Sequence, residues 1–111
     1  MTTVFEQVED ALDTLSVPFG MDTYLSNGEL PEQYMAYSLI DGVPSQHADD
    51  AETQRTYRVQ VSLYDRNGLA NLPAVDAAML AAGFEKGPER QLPRDNESGH
   101  YGLAKDYFKL S

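Results

Sequence analysis

The chain contains no cysteine. It therefore cannot form a disulfide scaffold, a thiolate nucleophile or a cysteine-ligated zinc site. It also lacks any apolar run near the roughly 20 residues that a membrane-spanning helix needs. Its acidic N-terminus has neither the basic start nor the apolar stretch of a signal peptide. These absences predict a soluble, cytosolic protein without membrane contact.

Basic residues are absent from the first half of the chain. Residues 1–54 carry eleven acids and no Lys or Arg, whereas residues 55–111 carry seven acids and eight basic residues. The two charges, −11 and +1, sum to the net charge of −10. Such a chain is not expected to hold a phosphate backbone. Solubility alone is the simplest explanation. Two others are contacts between the acidic half of one copy and the mixed half of the next, and a surface that DNA passes without adhering.

Motifs for catalysis or cofactor binding are also missing. His47 and His100 lie in polar segments and predict exposed loop histidines, since no serine near them has a Gly-x-Ser-x-Gly setting. The pair Asp49-Asp50 with Glu52 lacks the spacing of an EF-hand and predicts a solvated acidic loop. No glycine-rich phosphate loop is present. We expect a protein that is not an enzyme and holds neither metal nor cofactor.

Two stretches have the pattern of amphipathic helices. The first, over 3–15, has an apolar stripe at helical spacing and acids on its opposite face. The second, over 71–82, starts with Asn71 as a suitable N-cap and Pro73 in its first turn. Gly83 stands where a left-handed C-cap is needed.

The remaining segments predict a sheet. Apolar and polar residues alternate most clearly over 56–64, which indicates a strand with one buried face. The polar stretch 41–55 predicts a long loop across which the second and third strands pair. The predicted strands are 17–25, 34–40, 56–64, 84–90 and 101–110. We expect one α+β domain over 1–111: a mainly antiparallel sheet of about four or five strands, two helices packed on one face and a long loop between the middle strands.

Three segments resemble the tail-completion, or tail-terminator, proteins of long-tailed bacteriophages. The first is the strand 34–37, followed by an acidic loop and the strand 56–64. The second is the helix end 81–84, Ala-Ala-Gly-Phe, and the third is the ending 98–108, Ser-Gly-His-Tyr-Gly-Leu-Ala-Lys-Asp-Tyr-Phe. Together they span most of 34–108. The strongly acidic first half departs from the usual pattern of this family.

The resemblance implies a ring, usually a hexamer, at the head-proximal end of the tail tube. Such a ring stops tube growth and presents a surface to the head. The implied partners are further copies of the chain, the tail tube protein, a head connector or neck protein, and DNA that passes through the bore without specific binding. The implied location is the virion, after synthesis in the host cytoplasm.

In this family the long loop between the middle strands tends to take part in subunit contacts. A contact that repeats head to tail and closes by rotation gives a ring. The resemblance therefore makes this loop the candidate contact site of the chain. Its candidate residues are Asp41, Val43, Gln46, His47, Asp49, Asp50, Glu52 and Arg55.

Other functions stay open at this stage. Within the same class, the chain could be another phage neck component, such as a head-closure protein, or a minor tail protein. From a different class, it could be a small acidic binding module that imitates the charge of DNA. That reading needs acids spaced along an exposed face. An enzyme is the third alternative, and no motif favours it.

Neutralising the acidic loop tests whether its charges face the DNA. If these acids line the bore, the combined change Asp49→Asn, Asp50→Asn and Glu52→Gln is expected to alter ring assembly or DNA passage, because it removes three charges that repel DNA. Ring counts by electron microscopy and the rate of genome delivery from phage carrying the variant measure the two effects. Unchanged assembly together with unchanged delivery contradicts this hypothesis.

Overall fold

The helical and alternating segments of the sequence fold into a single sheet with two helices. The computed structural model describes residues 3–22, 30–44 and 55–110. The five strands have the order β1-β2-β3-β5-β4; β1 is parallel to β2 and all other neighbours are antiparallel. The predicted α+β class with a mainly antiparallel sheet is confirmed. The elements are α1 (Val4–Asp13), β1 (Phe19–Met21), β2 (Gln33–Pro44), β3 (Arg55–Asp65), α2 (Val75–Ala81), β4 (Glu85–Leu92) and β5 (Tyr101–Leu110).

α1 begins where Thr3 caps it. The Thr3 hydroxyl oxygen accepts the backbone N–H of Glu6 at 3.2 Å, as expected of a threonine N-cap. The apolar stripe of α1 is buried and comprises Val4, Val8, Ala11 and Leu12. Within the described part of the chain, neither helix is long and apolar enough to cross a membrane.

α2 is shorter at its start than the helix predicted over 71–82. Its first helical residue is Val75, and the predicted N-cap Asn71 lies outside it. The Asn71 carbonyl instead accepts a hydrogen bond from the side chain of Gln33 at 2.9 Å. Pro73 also precedes the helix, and its carbonyl accepts the N–H of Val75 at 2.8 Å. A contact with a distant strand therefore replaces the predicted local cap.

The end of α2 follows the prediction. Gly83 has a φ of +94°, in the left-handed region that favours glycine. Its N–H donates to the Leu80 carbonyl at 3.0 Å, and the Phe84 N–H donates to the Met79 carbonyl at 2.9 Å. This pair of bonds is a Schellman motif. A Cβ at Gly83 would also lie 2.7 Å from Lys109 Nζ.

β1 and its surroundings are only partly described. The predicted strand over 17–25 is observed as Phe19–Met21. Asp22, with a φ of +63°, follows it directly, so the extended conformation ends there. Residues 23–25 lie outside the described residues.

β2 and β3 form the longest strand pair of the sheet. Their register runs from Gln33 opposite Asp65 to Pro44 opposite Arg55. One extra residue, Ile40, enters β2 where the register shifts, which is the definition of a β-bulge. The predicted pairing of the second and third strands is therefore confirmed, and we refer to this pair as the β2–β3 ribbon.

The loop predicted over 41–55 is wrong at both of its ends. Residues 41–44 belong to β2 and Arg55 belongs to β3. The hydrogen bonds of an antiparallel ladder join backbone groups, so pairing with β3 continues through a sequence that has few apolar side chains. Residues 45–54 lie outside the described residues.

The core lies on one face of the sheet. In this register Met35, Leu63 and Leu103 stand side by side on neighbouring strands, and all side chains at this spacing share the face. The largest fully buried side chains of the core are Tyr37, Tyr107, Phe84, Leu12, Met35, Leu63, Met79, Val8, Val61 and Val75.

Two tyrosine hydroxyls attach the helices to this face. Tyr37 in β2 donates to Glu9 in α1, and Tyr107 in β5 donates to Asp76 in α2 at 2.6 Å. Burial, followed by the hydrogen bond to the carboxylate, raises the pKa of each phenol well above its usual value. The register places both tyrosines on the same face, so α1 and α2 both contact it.

Asp76 is the more heavily bonded of the two carboxylates. Besides Tyr107, the Nζ atoms of Lys105 and Lys86 each lie 3.2 Å from its Oδ2. Burial alone would raise the pKa of Asp76. The hydrogen bonds from Tyr107 and the two lysines outweigh burial and hold this pKa below its usual value. One carboxylate thus joins α2 to both β4 and β5.

The variant Asp76→Asn tests this junction. It is expected to lower the free energy of unfolding by about 1–2 kcal/mol at neutral pH, because the amide makes weaker hydrogen bonds with the lysines and the tyrosine. The lowered pKa means that the carboxylate stabilises the fold fully above the pKa of unfolded aspartate, about 3.9. This stabilisation is lost as the pH falls through the folded pKa.

Urea unfolding of the wild type and Asp76→Asn at about pH 7 and about pH 2.5 measures this loss. We expect a clear difference between the two proteins at neutral pH and little at acid pH. Asp10→Asn, at an exposed carboxylate of α1, is the matched control and should change stability by less than about 0.5 kcal/mol. A difference for Asp76→Asn that persists unchanged at acid pH contradicts the role given to its charge.

Candidate functional site

Three of the eight candidate contact residues are described by the structure. Asp41 and Val43 lie in β2 and Arg55 lies in β3, so they are strand residues rather than loop residues. Asp41 is opposite Arg58 and Val43 is opposite Thr56 in the register. The other five candidates, Gln46, His47, Asp49, Asp50 and Glu52, lie outside the described residues.

A different group of polar residues converges at the opposite end of the β2–β3 ribbon. The segment before β2 meets the turn after β3 and the turn before β5 there, through hydrogen bonds from Arg66 and His100. About ten residues of strand separate this end from the candidate contact residues, which is on the order of 33 Å. We call this group the His100 cluster; it comprises Tyr34, Tyr64, Arg66, Ser98 and His100.

His100 is buried, with 1% of its surface exposed, so its prediction as an exposed loop histidine is wrong. Its Nε2 lies 2.7 Å from the Pro31 carbonyl oxygen, and its Nδ1 lies 2.7 Å from Ser98 Oγ. A carbonyl only accepts, so Nε2 carries a proton; in the neutral ring, Nδ1 accepts the Ser98 hydroxyl. Gly99, with a φ of +82°, turns the chain so that the imidazole enters the fold.

Two stacked tyrosines form the apolar wall of the cluster. The rings of Tyr34 and Tyr64 lie 4.8 Å apart at 19°, and the His100 ring meets Tyr34 edge-on at 4.9 Å. Gly102 lies beside this stack in the register, and a Cβ there would lie 3.1 Å from the Tyr64 ring. Burial, with smaller contributions from Tyr64 and Asp95, raises the pKa of the Tyr34 phenol.

Arg66 connects the three segments of the cluster. Its Nε donates to the Ser98 carbonyl at 3.1 Å, and a terminal nitrogen donates to the Leu30 carbonyl at 3.0 Å. Its backbone N–H donates to the Glu32 carbonyl at 3.0 Å. The planar guanidinium offers several donors in fixed directions, which suits it to bridge carbonyls from two segments.

Asp95 organises the turn that carries Ser98. Its Oδ1 accepts the backbone N–H of Glu97 at 2.9 Å and of Ser98 at 3.5 Å, while its carbonyl accepts the N–H of Gly99 at 2.7 Å. The bond from Glu97, followed by that from Ser98, lowers the pKa of the Asp95 carboxyl. The backbone N–H groups from 97 to 99 are therefore all engaged within the turn.

The Ser98–His100 pair has the distance of a nucleophile and its base. A cleft of about 500 Å³ adjoins it. An acyl-transfer site also needs free donors where an oxyanion forms, but the N–H groups of this turn are engaged and two carboxylates face the cleft. The geometry therefore favours a role in holding three segments together. The cleft is lined by Leu30, Arg66, Asp95, Glu97 and Ser98.

Two other kinds of site find no support in the described ranges. Within them, no three His, Cys, Asp or Glu side chains are grouped so that they could hold a metal ion. A second cleft, of about 290 Å³, lies beside the end of α2 and is partly lined by Lys109. Lys109 Nζ donates to the Ala82 carbonyl at 2.7 Å and lies over the Phe84 ring. A cation at this position complements the negative end of a helix, so the contact is explained by the fold.

Sequence reasoning missed the His100 cluster because its partners come from three distant segments. The local signal was the string Asp-Asn-Glu-Ser-Gly-His over 95–100. Aspartate followed by a serine and a glycine indicates a turn closed by side-chain bonds. A histidine directly after such a turn and before an apolar strand is placed to point inward, but its partner Pro31 is not visible in the local sequence.

The variant His100→Phe tests the structural role of the cluster. Phenylalanine keeps the ring contact with Tyr34 but leaves the Pro31 carbonyl without its donor. We expect the free energy of unfolding to fall by about 1–3 kcal/mol, the cost of a buried polar group without a partner. Ser98→Ala is the matched control and should cost about 1 kcal/mol or less. Urea unfolding of the three proteins decides the point, and a His100→Phe midpoint equal to that of the wild type rejects it.

Comparisons with known proteins supply no homologue. No protein-family model matches the chain. No curated protein matches it either. The function must therefore be inferred from the residues of the chain and from their geometry.

Proposed function

We propose that this chain is a structural subunit of a long-tailed bacteriophage, assembling as a ring of six copies that caps the head-proximal end of the tail tube and joins tail to head. The observation that carries the proposal is the place of the three segments that resemble tail-terminator proteins. The first two strands lie in β2 and β3, the helix end closes α2, and the C-terminal segment includes most of β5.

These segments are neighbours in the fold. The strands β2, β3 and β5 are adjacent in the sheet order. Phe84, at the end of the second segment, is buried in the same core as Tyr37 and Tyr107 from β2 and β5. The resemblance thus covers one contiguous part of the fold, which is what a shared architecture requires.

The shape of the chain suits a subunit that reaches its neighbours. The extents are 51 × 25 × 24 Å and the radius of gyration is 15.2 Å, whereas a compact domain of this length has about 13 Å. The β2–β3 ribbon, whose two strands have 12 and 11 residues, is the longest feature of the fold. The candidate contact residues Asp41, Val43 and Arg55 lie at its far end.

The charge of the chain fits a ring around DNA. A bore that held the phosphate backbone would oppose movement of the genome, whereas acids on the bore repel it and leave DNA free to pass. The chain carries −10 overall, and all of the excess comes from residues 1–54. In this proposal the ring contacts the tail tube protein on one side and a head connector on the other, and its place is the virion.

Negative-stain imaging of tail tubes assembled with and without the purified chain tests the proposal. We expect rings that cap one end of tubes of uniform length, because a terminator stops further addition of tube subunits. Tubes assembled without the chain are the control and should vary in length. Tubes that grow without limit while the chain stays unbound contradict the terminator role. That result favours a head-side neck component or a small acidic binding module instead.

A further inference from the structure

Three large apolar side chains are exposed among the residues that the structure describes. Met21 is 50% exposed, Ile40 is 44% exposed and Leu80 is 51% exposed. They do not form one patch. Met21 and Ile40 belong to β1 and β2 at one side of the sheet, whereas Leu80 belongs to α2 at the other side.

The first of these surfaces, which we call the β1 edge, comprises Met21, Asp22 and Ile40. β1 is the outermost strand and pairs with β2 only over Met35–Tyr37. Ile40 lies beyond the part of β2 that β1 covers. Asp22 is exposed directly after β1, and this edge belongs to the half of the chain that has no basic residue.

The second surface, which we call the α2 edge, comprises Ala77, Leu80, Ala81, Lys86 and Arg90. The salt bridges from Asp76 to Lys105 and Lys86 hold α2 over β5 and β4, and β4 is the outermost strand here. Ala77, Leu80 and Ala81 are exposed and uncharged, and they lie on the solvent side of the helix. Lys86 and Arg90 are exposed on β4 and supply positive charge.

The placement of these surfaces distinguishes between two kinds of contact. A two-fold contact joins identical surfaces, so it would cover either Leu80 or the pair Met21 and Ile40 and leave the other exposed. A head-to-tail contact joins different surfaces and covers all three side chains at once. Repetition of such a contact closes a ring.

We propose that the α2 edge of one copy binds the β1 edge of the next copy. Leu80 then packs against Met21 and Ile40, while Lys86 and Arg90 approach the acidic side that carries Asp22. α2 alone is about 10 Å long, which is too short for the roughly 800 Å² per partner of a stable interface. The contact therefore includes β4 beside it. The inference rests on the proposed ring and names the surfaces that form it.

The absence of cysteine makes this contact directly testable by cross-linking. The double variant Met21→Cys with Leu80→Cys, treated with a short bis-maleimide in the presence and absence of tail tubes, is expected to give a ladder of covalent oligomers. Each copy then carries both halves of the contact, so the cross-links continue from copy to copy. The control pairs Asp10→Cys on α1 with Leu80→Cys and should give no ladder.

The single variants separate the two kinds of contact. Leu80→Cys alone should give no covalent dimer, and neither should Met21→Cys alone. An equimolar mixture of the two should give one dimer, containing one copy of each, and no larger product. A dimer of Leu80→Cys alone overturns the proposal in favour of a two-fold contact through α2. The absence of a ladder from the double variant, with or without tubes, also overturns it.

The same samples keep this contact distinct from the terminator function. Rings of the chain on tube ends without a ladder mean that the ring forms through other surfaces, so the contact is wrong and the function stands. A ladder together with uncapped tubes means that the contact is right and the terminator function is wrong. Circular dichroism of each variant confirms that the exposed cysteines leave the fold intact.

Discussion

The register of β3 between β2 and β5 is the constraint on which the rest of the structure depends. Side chains alternate along a strand, so a slip of one residue would move every core residue of β3 to the opposite face. In the observed register Val59, Val61 and Leu63 are all buried beneath the helices. The same register places Tyr37 and Tyr107 where their hydroxyls reach α1 and α2. The position of both helices therefore follows from the pairing of the central strands.

Buried polar groups fix this register at both faces and at one end. Asp65, 4% exposed, accepts the side chain of Gln33 and the N–H of Asn67. On the face away from the helices, Arg58 of β3 binds the buried Asp106 of β5, with Nε to Oδ2 at 3.0 Å. A shifted register would leave such carboxylates buried without partners, which costs several kcal/mol. Apolar patterning selects the face, and these pairs select the alignment.

The sequence predicted what depends on local periodicity and missed what depends on distant partners. The strand over 56–64 and the helix capped by Thr3 were predictable because their signals lie within one element. The strand character of 41–44 was not, because backbone pairing carries no signature in a polar sequence. Asn71 is an adequate cap by type, yet its carbonyl is taken by Gln33. His100 is buried only because Pro31 and Tyr34 arrive from another strand.

The distribution of polar contacts separates the parts of the chain that maintain the fold from those left for other molecules. The Ser98 hydroxyl, the Arg66 guanidinium and the Asp76 carboxylate each bond partners from other segments or strands of the same chain, so the groups most able to perform chemistry already serve the fold. The large apolar side chains left exposed in the described ranges stand at the two opposite edges of the sheet. Water in contact with such side chains favours their burial, and two unlike edges on one chain are buried together only when copies join in sequence. Assembly is therefore the activity for which this arrangement of residues is suited.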